Sequence, residues 1–200
     1  MPVEDPRFGK VVPCPVCVEG TRANIDWFKI EGKNLRTETK QYRRAVRLAR
    51  AMAQTPSGWL VIQGDVGTGK TTLARAILSH WRGKLTEPQT SEELLIEWRS
   101  HIKEEDFEDQ FIRRCEATAA VLDDLGAERI TDWTGPRLST YLNWRWARRL
   151  PTVITTNCDE HMLAAHVDER VADRVFDRHS GLVRIVTLDV PSFRRGNHVD

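Results

Sequence analysis

Gly64-Asp-Val-Gly-Thr-Gly-Lys-Thr-Thr72 satisfies the pattern G-x-x-x-x-G-K-[ST]. The spacing follows from chemistry. Glycines let the backbone turn tightly enough for successive N–H groups to point inward at phosphate oxygens. A helix opening near Lys70 adds the positive end of its dipole. Lys70 is placed to reach β- and γ-phosphates, and the Thr71 hydroxyl to ligate Mg²⁺. Gly64, Asp65, Val66, Gly67, Thr68, Gly69, Lys70, Thr71 and Thr72 are therefore the candidate nucleotide-binding residues. The flanks fit. Trp59-Leu-Val-Ile-Gln63 reads as a short buried strand, and helical spacing continues from Lys70 to about Arg82.

Outward from this stretch the chain alternates strands with helices. Before it, apolar residues from about Thr37 to Ala53 recur at helical spacing, opposite a face carrying Lys40, Arg43, Arg44, Arg47 and Arg50. After it come a weak strand within 83–90, interrupted by Pro88, and a helix from Ser91 through Arg99 or beyond. Residues 104–109 read as an acidic, solvated stretch. Thr118-Ala-Ala-Val-Leu122 is a second buried strand, followed by a helix from about Gly135 to Arg149. Thr152–Thr156 and Leu182–Leu188 are further strands, with 161–178 mostly helical between them. Strands separated by helices predict an α/β fold with a parallel sheet.

Two more groups carry chemistry. The second strand ends in Asp123-Asp124, about fifty residues after the glycine loop. In a parallel sheet, carboxylates at that end sit where ligands gather. One can hold Mg²⁺ and the next can polarise an attacking water. Asp-Asp-Leu-Gly is also good turn chemistry. Thr155-Thr156-Asn157 ends the third strand, where a neutral amide can bond a γ-phosphate, orient water, or simply turn the chain.

Taken in order, the glycine loop, Val-Leu-Asp-Asp-Leu-Gly-Ala-Glu128, Leu-Pro-Thr-Val-Ile-Thr-Thr-Asn157 and Glu169-Arg-Val-Ala-Asp-Arg174 resemble the AAA+ ATPases of the DnaC/IstB type. These are bacterial and phage helicase loaders and transposition helper ATPases. The resemblance runs over about residues 40–195. It implies a P-loop NTPase of AAA+ type, with a five-stranded mainly parallel sheet between helices and little or no lid domain. It implies ATP rather than GTP, with Mg, and a homo-oligomer that assembles with ATP and shares active sites between subunits. Residues 64–72 match Walker A, Asp123 and Asp124 match Walker B, and Asn157 matches sensor 1. Arg174 matches the arginine finger, and Arg194, in Ser-Phe-Arg194, matches a phosphate sensor. Asp124 stands where many AAA+ proteins carry Glu, which puts fast hydrolysis in doubt more than binding. Single-stranded DNA and a replicative helicase or transposase are the partners implied.

Composition sets the outer bounds. The chain has 200 residues, with 40% apolar, 30% charged and a net charge of +1, enough for one domain and too balanced for a uniformly basic coat. It has no run apolar enough to span a membrane and no export signal, so a cytoplasmic protein with reduced cysteines is expected. Residues 1–36 read as a small extension and 37–200 as the ATPase domain. Cys14-Pro-Val-Cys17 has zinc-knuckle spacing but lacks a second pair, so half a zinc site, a bare reduced turn and a redox pair all remain open. Trp144-Arg-Trp-Ala-Arg-Arg149 interleaves aromatics with arginines, which suits either single strands or a core. Three functions fit: an ATP-hydrolysing helper of DNA replication or transposition, an ATP-gated assembly module with little hydrolysis, and a small-molecule P-loop kinase.

Overall fold

β-Branched and apolar runs become strands because their side chains pack on both faces of a pleated sheet. The computed structural model describes residues 39–81 and 89–192. The expectations for the 1–36 extension, Cys14, Cys17 and Arg194 lie outside the described residues. Strands β1 (Trp59–Gly64), β3 (Ala120–Leu125), β4 (Thr152–Thr156) and β5 (Val183–Leu188) carry the sheet. A two-residue pairing, β2 (Gln89–Thr90), adds its edge beside β3. The order is β2-β3-β4-β1-β5, and every pairing among the described residues is parallel. The expected five-stranded sheet is thus met by four full strands and a minimal two-residue edge. Pro88, which has no N–H to donate, directly precedes that edge.

Seven helices are described: α1 (Lys40–Gln54), α2 (Lys70–His80), α3 (Ser91–His101), α4 (Phe107–Cys115), α5 (Thr134–Ala147), α6 (Glu160–His166) and α7 (Glu169–Val175). The two-residue alternation of the strands sorts them into layers. Leu60, Ile62, Val121, Val153, Val186 and Leu188 pack with α1 and α2. Trp59, Val61, Leu122, Ile154 and Val183 face the other way, toward α3 to α7.

Local chemistry sets the helix ends and corrects three expectations. The Thr39 side chain accepts from Tyr42 N–H, so α1 begins at Lys40 rather than Thr37. The mostly helical stretch 161–178 divides into two helices. Asp168 caps the second by accepting from the N–H groups of Arg170 and Val171, which breaks the first. The 104–109 stretch is not simply solvated. Phe107 opens α4, and Phe107, Phe111 and Cys115 form a buried i, i+4, i+8 stripe beneath its acidic residues.

The amino ends of the strands are tied by one side chain. Arg145 is fully buried and donates to Thr152 Oγ1 at 2.9 Å, to the carbonyls of Cys115 at 3.2 Å and Ala117 at 2.8 Å, and to Pro151 at 2.7 Å. It joins the end of α4, the approach to β3 and the start of β4. Burial lowers its pKa from the usual arginine value, and the same burial pushes the neighbouring Cys115 thiol up to about 12. Arg145→Ala would orphan these acceptors and leave a cavity. It should reduce unfolding free energy by on the order of 3–5 kcal/mol, read from urea denaturation. Arg145→Lys should recover only part, because a point ammonium cannot reproduce a planar fork. A loss under about 1 kcal/mol, the scale of an exposed ion pair, would mean that the fork holds nothing together.

Candidate functional site

The loop from Gly64 to Gly69 leaves the carboxyl end of β1 and delivers the chain into α2. A Cβ on Gly64 would lie 2.7 Å from the Leu188 carbonyl of β5, so the loop departs against its neighbour only without a side chain. Thr68 is buried, and its hydroxyl donates to the Asp65 carbonyl at 2.8 Å, closing the turn. Gly69 caps α2 at φ 93° and supplies no side-chain acceptor. The first N–H groups of α2 therefore have no side-chain cap and face the loop with the positive end of the dipole. Asp65 and Val66 are exposed at the tip, Gly67 and Gly69 are half-buried, and Thr72 is exposed on the first turn of α2.

Lys70 is only 6% exposed. Its ammonium donates to the carbonyls of Gly64 and Asp65, each at 2.8 Å, and to Asn157 Oδ1 at 2.5 Å. Asn157, one residue beyond β4, uses its other end too. Its Nδ2 donates to Asp124 Oδ1 at 3.0 Å. One amide thus spans the cation of the glycine loop and a carboxylate of β3, and three separate sequence motifs meet at it.

The acidic pair sits in a bulge. Register runs Ala120↔Thr152, Val121↔Val153 and Leu122↔Ile154, then resumes at Leu125↔Thr156, so β3 spends three residues against two of β4. The extra residue re-aims both side chains. Asp124 adopts φ 60°, a conformation that Asp tolerates better than most residues. Its N–H donates to Thr155 Oγ1 at 2.9 Å, and the Thr155 hydroxyl donates to Asp123 Oδ1 at 2.5 Å. The Thr71 hydroxyl also donates to Asp123 Oδ1, at 3.1 Å. The adjacent hydroxyl and carboxylate are hard oxygen ligands of the kind Mg²⁺ takes. Among the described residues no group of three or more His, Cys, Asp or Glu could hold a metal. Mg²⁺ here would rest on Thr71 and Asp123, with nucleotide oxygens completing the shell, which is its usual habit.

Arg174 stands in the last turn of α7, half-buried, and donates to the Arg170 carbonyl of its own helix at 2.8 Å. It forms no ion pair with Asp173 or Asp177 among the described residues. In the tryptophan–arginine run Trp144 and Trp146 are half-buried against the core, and Ala147, Arg148 and Arg149 are exposed. Arg145 is the buried fork described above, Trp146 meets Trp59 edge-on at 5.4 Å, and Trp144 is covered by Arg148 at 3.9 Å.

Two contributors escape sequence reading. Thr155 organises both aspartates but reads as ordinary strand. Glu128 is 1% exposed; its carboxylate accepts from Gly126 N–H at 2.9 Å and from the Ser91 hydroxyl, which also lies 3.1 Å from the Asp124 carbonyl. In sequence Glu128 appears only as the closing residue of the Val-Leu-Asp-Asp-Leu-Gly-Ala-Glu motif, with no role of its own. It ties the aspartate bulge to the start of α3.

No family model matches the chain, and no curated protein matches it in sequence. Solved structures match its fold. The DnaC helicase loader superposes with TM-score 0.64 at 23% identity, over 76% of this chain and 92% of that one. DnaI gives 0.59 at 20% identity, over 80% and 88%. The replication initiator DnaA bound to AMPPCP and single-stranded DNA gives 0.64 at 17% identity, over 76% of this chain and 48% of that one. The chain therefore shares the α/β fold of these proteins. No helix among the described residues is long and apolar enough to cross a membrane.

Thr155→Val keeps the shape of the side chain and removes its hydroxyl. It should leave Asp124 N–H unpaired and Asp123 less constrained, at about 1–3 kcal/mol of stability. Thr155→Ser should regain most of that in the same denaturation series. Equal stabilities for Val and wild type would show that the bulge does not depend on the hydroxyl.

Proposed function

We propose that this chain binds and hydrolyses MgATP as an AAA+ protein and assists DNA replication or transposition, loading a helicase or a transposase-type partner on DNA. One observation carries the reading: Asn157 is hydrogen-bonded to both Lys70 and Asp124, while Thr71 of the same loop bonds Asp123. The resemblance to loader and initiator folds supports the replication setting. DnaA in its complex with AMPPCP and single-stranded DNA shares the fold, and both ligand classes are proposed for this chain on that basis.

In this reading the loop N–H groups and the α2 terminus receive the phosphates, and the Lys70 ammonium exchanges carbonyl partners for phosphate oxygens. Thr71 and Asp123 would hold Mg²⁺, which neutralises charge on the phosphate oxygens. Asp124 polarises the attacking water and Asn157 orients it. Arg174 enters the site of a neighbouring copy and neutralises developing charge there. Val66, 62% exposed at the mouth of the site, offers an apolar contact to that neighbour.

A second reading, an ATP-gated module with little turnover, draws on one feature. Asp124 is a methylene shorter than Glu, and its Oδ1 is engaged by Asn157. ATPase measured with and without DNA across protein concentration separates the two. Hydrolysis that rises with concentration supports the first reading, and a rate at background throughout supports the second.

Asp124→Asn should lower the ATPase by on the order of 10²-fold with nucleotide binding retained. Arg174→Ala should do the same by roughly 10²-fold. A mixture of Arg174→Ala with Lys70→Ala protein should recover part of the activity, because one subunit offers an intact pocket and the other an intact arginine. A dead mixture, together with specific activity that stays flat on dilution, would mean that Arg174 does not act between subunits.

A further inference from the structure

The amino ends of β1 and β5 border a surface cleft of about 400 Å³ that no part of the proposed reaction uses. Gly58 and Leu182, the residues just before the two strands, form part of its wall, and the Trp59 N–H donates to the Leu182 carbonyl at 2.9 Å. The glycine loop leaves the opposite end of β1, six residues on and roughly 20 Å away. The ionisable residues lining the cleft are Arg149 and Arg184, with no acid among them. Asp177, the acid nearest to the cleft residue Ser180 in sequence, accepts at Oδ1 from the N–H groups of His179 and Ser180, at 2.7 and 3.0 Å. Arg184 is half-buried and anchored: its Nη2 donates to the Ser57 carbonyl at 2.5 Å and to Met52 Sδ at 3.8 Å. The N–H groups on its Nε and Nη1 have no partner among the described residues. Arg149 carries backbone strain. Helix α5 closes with hydrogen bonds from the Arg149 N–H to the Trp146 carbonyl at 3.0 Å and from the Leu150 N–H to the Arg145 carbonyl at 2.9 Å. That pattern sets one left-handed residue just past a helix, and glycine is its usual occupant. Here Arg149 takes the position, at φ 53°. Its guanidinium is exposed and has no hydrogen-bond, ion-pair or ring partner among the described residues. Strained residues of this sort gather where a ligand is held.

We infer that this cleft binds a phosphate group carried by a small molecule. Two guanidiniums with no carboxylate in the lining favour a dianion, and their planar forks match phosphate oxygens. The volume is within the range of small-ligand sites, roughly 300–1,000 Å³, so the cleft has room for the carrier as well as the phosphate. Leu182 is the single apolar side chain in the lining, and two serines and two glycines make up the rest. Such a wall suits a hydroxylated, sugar-like carrier better than an aromatic or aliphatic one. A nucleic-acid backbone would find little purchase on two cations in a recess, because its affinity comes from many phosphate contacts in a row. The inference uses none of the residues of the nucleotide site and does not rest on that reading.

The test is calorimetric titration of the full chain with inorganic phosphate and with ribose 5-phosphate, at an ionic strength held constant with chloride. A parallel series in Lys70→Ala protein removes any contribution from the glycine loop and should still show saturable binding at one site per chain, with none for ribose. Arg149→Gln should weaken that binding about tenfold or more, the loss of one charge-assisted contact. Arg149→Gly should lose as much while its melting temperature stays equal or rises, because glycine relieves the left-handed position. Arg184→Gln should also weaken binding. It cuts the Ser57 contact too, so the Arg149 pair decides the matter if the Arg184 variant melts early. Affinity for a fluorescent ATP analogue should stay at the wild-type value in both Arg149 variants, which separates this cleft from the nucleotide site. No saturable binding of either phosphate compound, or affinity unchanged in both Arg149 variants, would overturn the site. An oligonucleotide that binds through Arg149 and Arg184 where ribose 5-phosphate does not would overturn the small-molecule source.

Discussion

Asn157 holds the Lys70 ammonium with one end of its amide and the Asp124 carboxylate with the other, and the arrangement of the site depends on that bridge. An amide is the side chain that can do this without a net charge, accepting from a cation and donating to an anion. It fixes the spacing between Lys70 and Asp124, the residues proposed to meet phosphate and water. A carboxylate there would compete with phosphate for Lys70, and an apolar residue would leave both charges to water.

The bridge is possible because parallel pairing brings three strand ends to one level. β1 stands between β4 and β5, so the glycine loop opens beside Asn157. β3 would overshoot its neighbour, and the bulge at Asp123–Asp124 absorbs the extra residue while turning both carboxylates toward the loop. Thr155 and Glu128 stabilise that irregular backbone from two sides, through Asp124 N–H and through the Ser91–Gly126 contacts. At the other end of the sheet, Arg145 gathers the entries to β3 and β4 with one guanidinium. The two ends thus divide the labour, one built for rigidity and the other for chemistry.

How much of this was legible follows from how local each signal is. The glycine loop, the aspartate pair and the Thr-Thr-Asn strand end are contiguous stretches whose chemistry survives without knowing their neighbours, so their meeting at one end of the sheet could be read from sequence, while their roles toward a nucleotide are a proposal. The conformation of Asp124 was not legible, because a bulge exists only relative to its partner strand. Phe107 and Phe111 were hidden by acidic residues between them, which mark the outer face of α4 rather than a loop. Arg145 read as part of a run suiting either single strands or a core because three of its four acceptors are main-chain carbonyls, which leave no trace in composition. The α6–α7 break was signalled by Asp168, a capping residue inside an otherwise helical pattern.

The most direct measurement is the affinity of a fluorescent ATP analogue, with Mg²⁺, for the wild type and for Lys70→Ala, with thermal melts confirming that both are folded. Lys70 is the nearest cation to the loop, and charge-assisted hydrogen bonds contribute about 1.5–3 kcal/mol each, so affinity should fall about 10- to 100-fold. Equal affinity in the two proteins would contradict the account, because the glycine loop and the Asn157 bridge would then surround something other than a phosphate site.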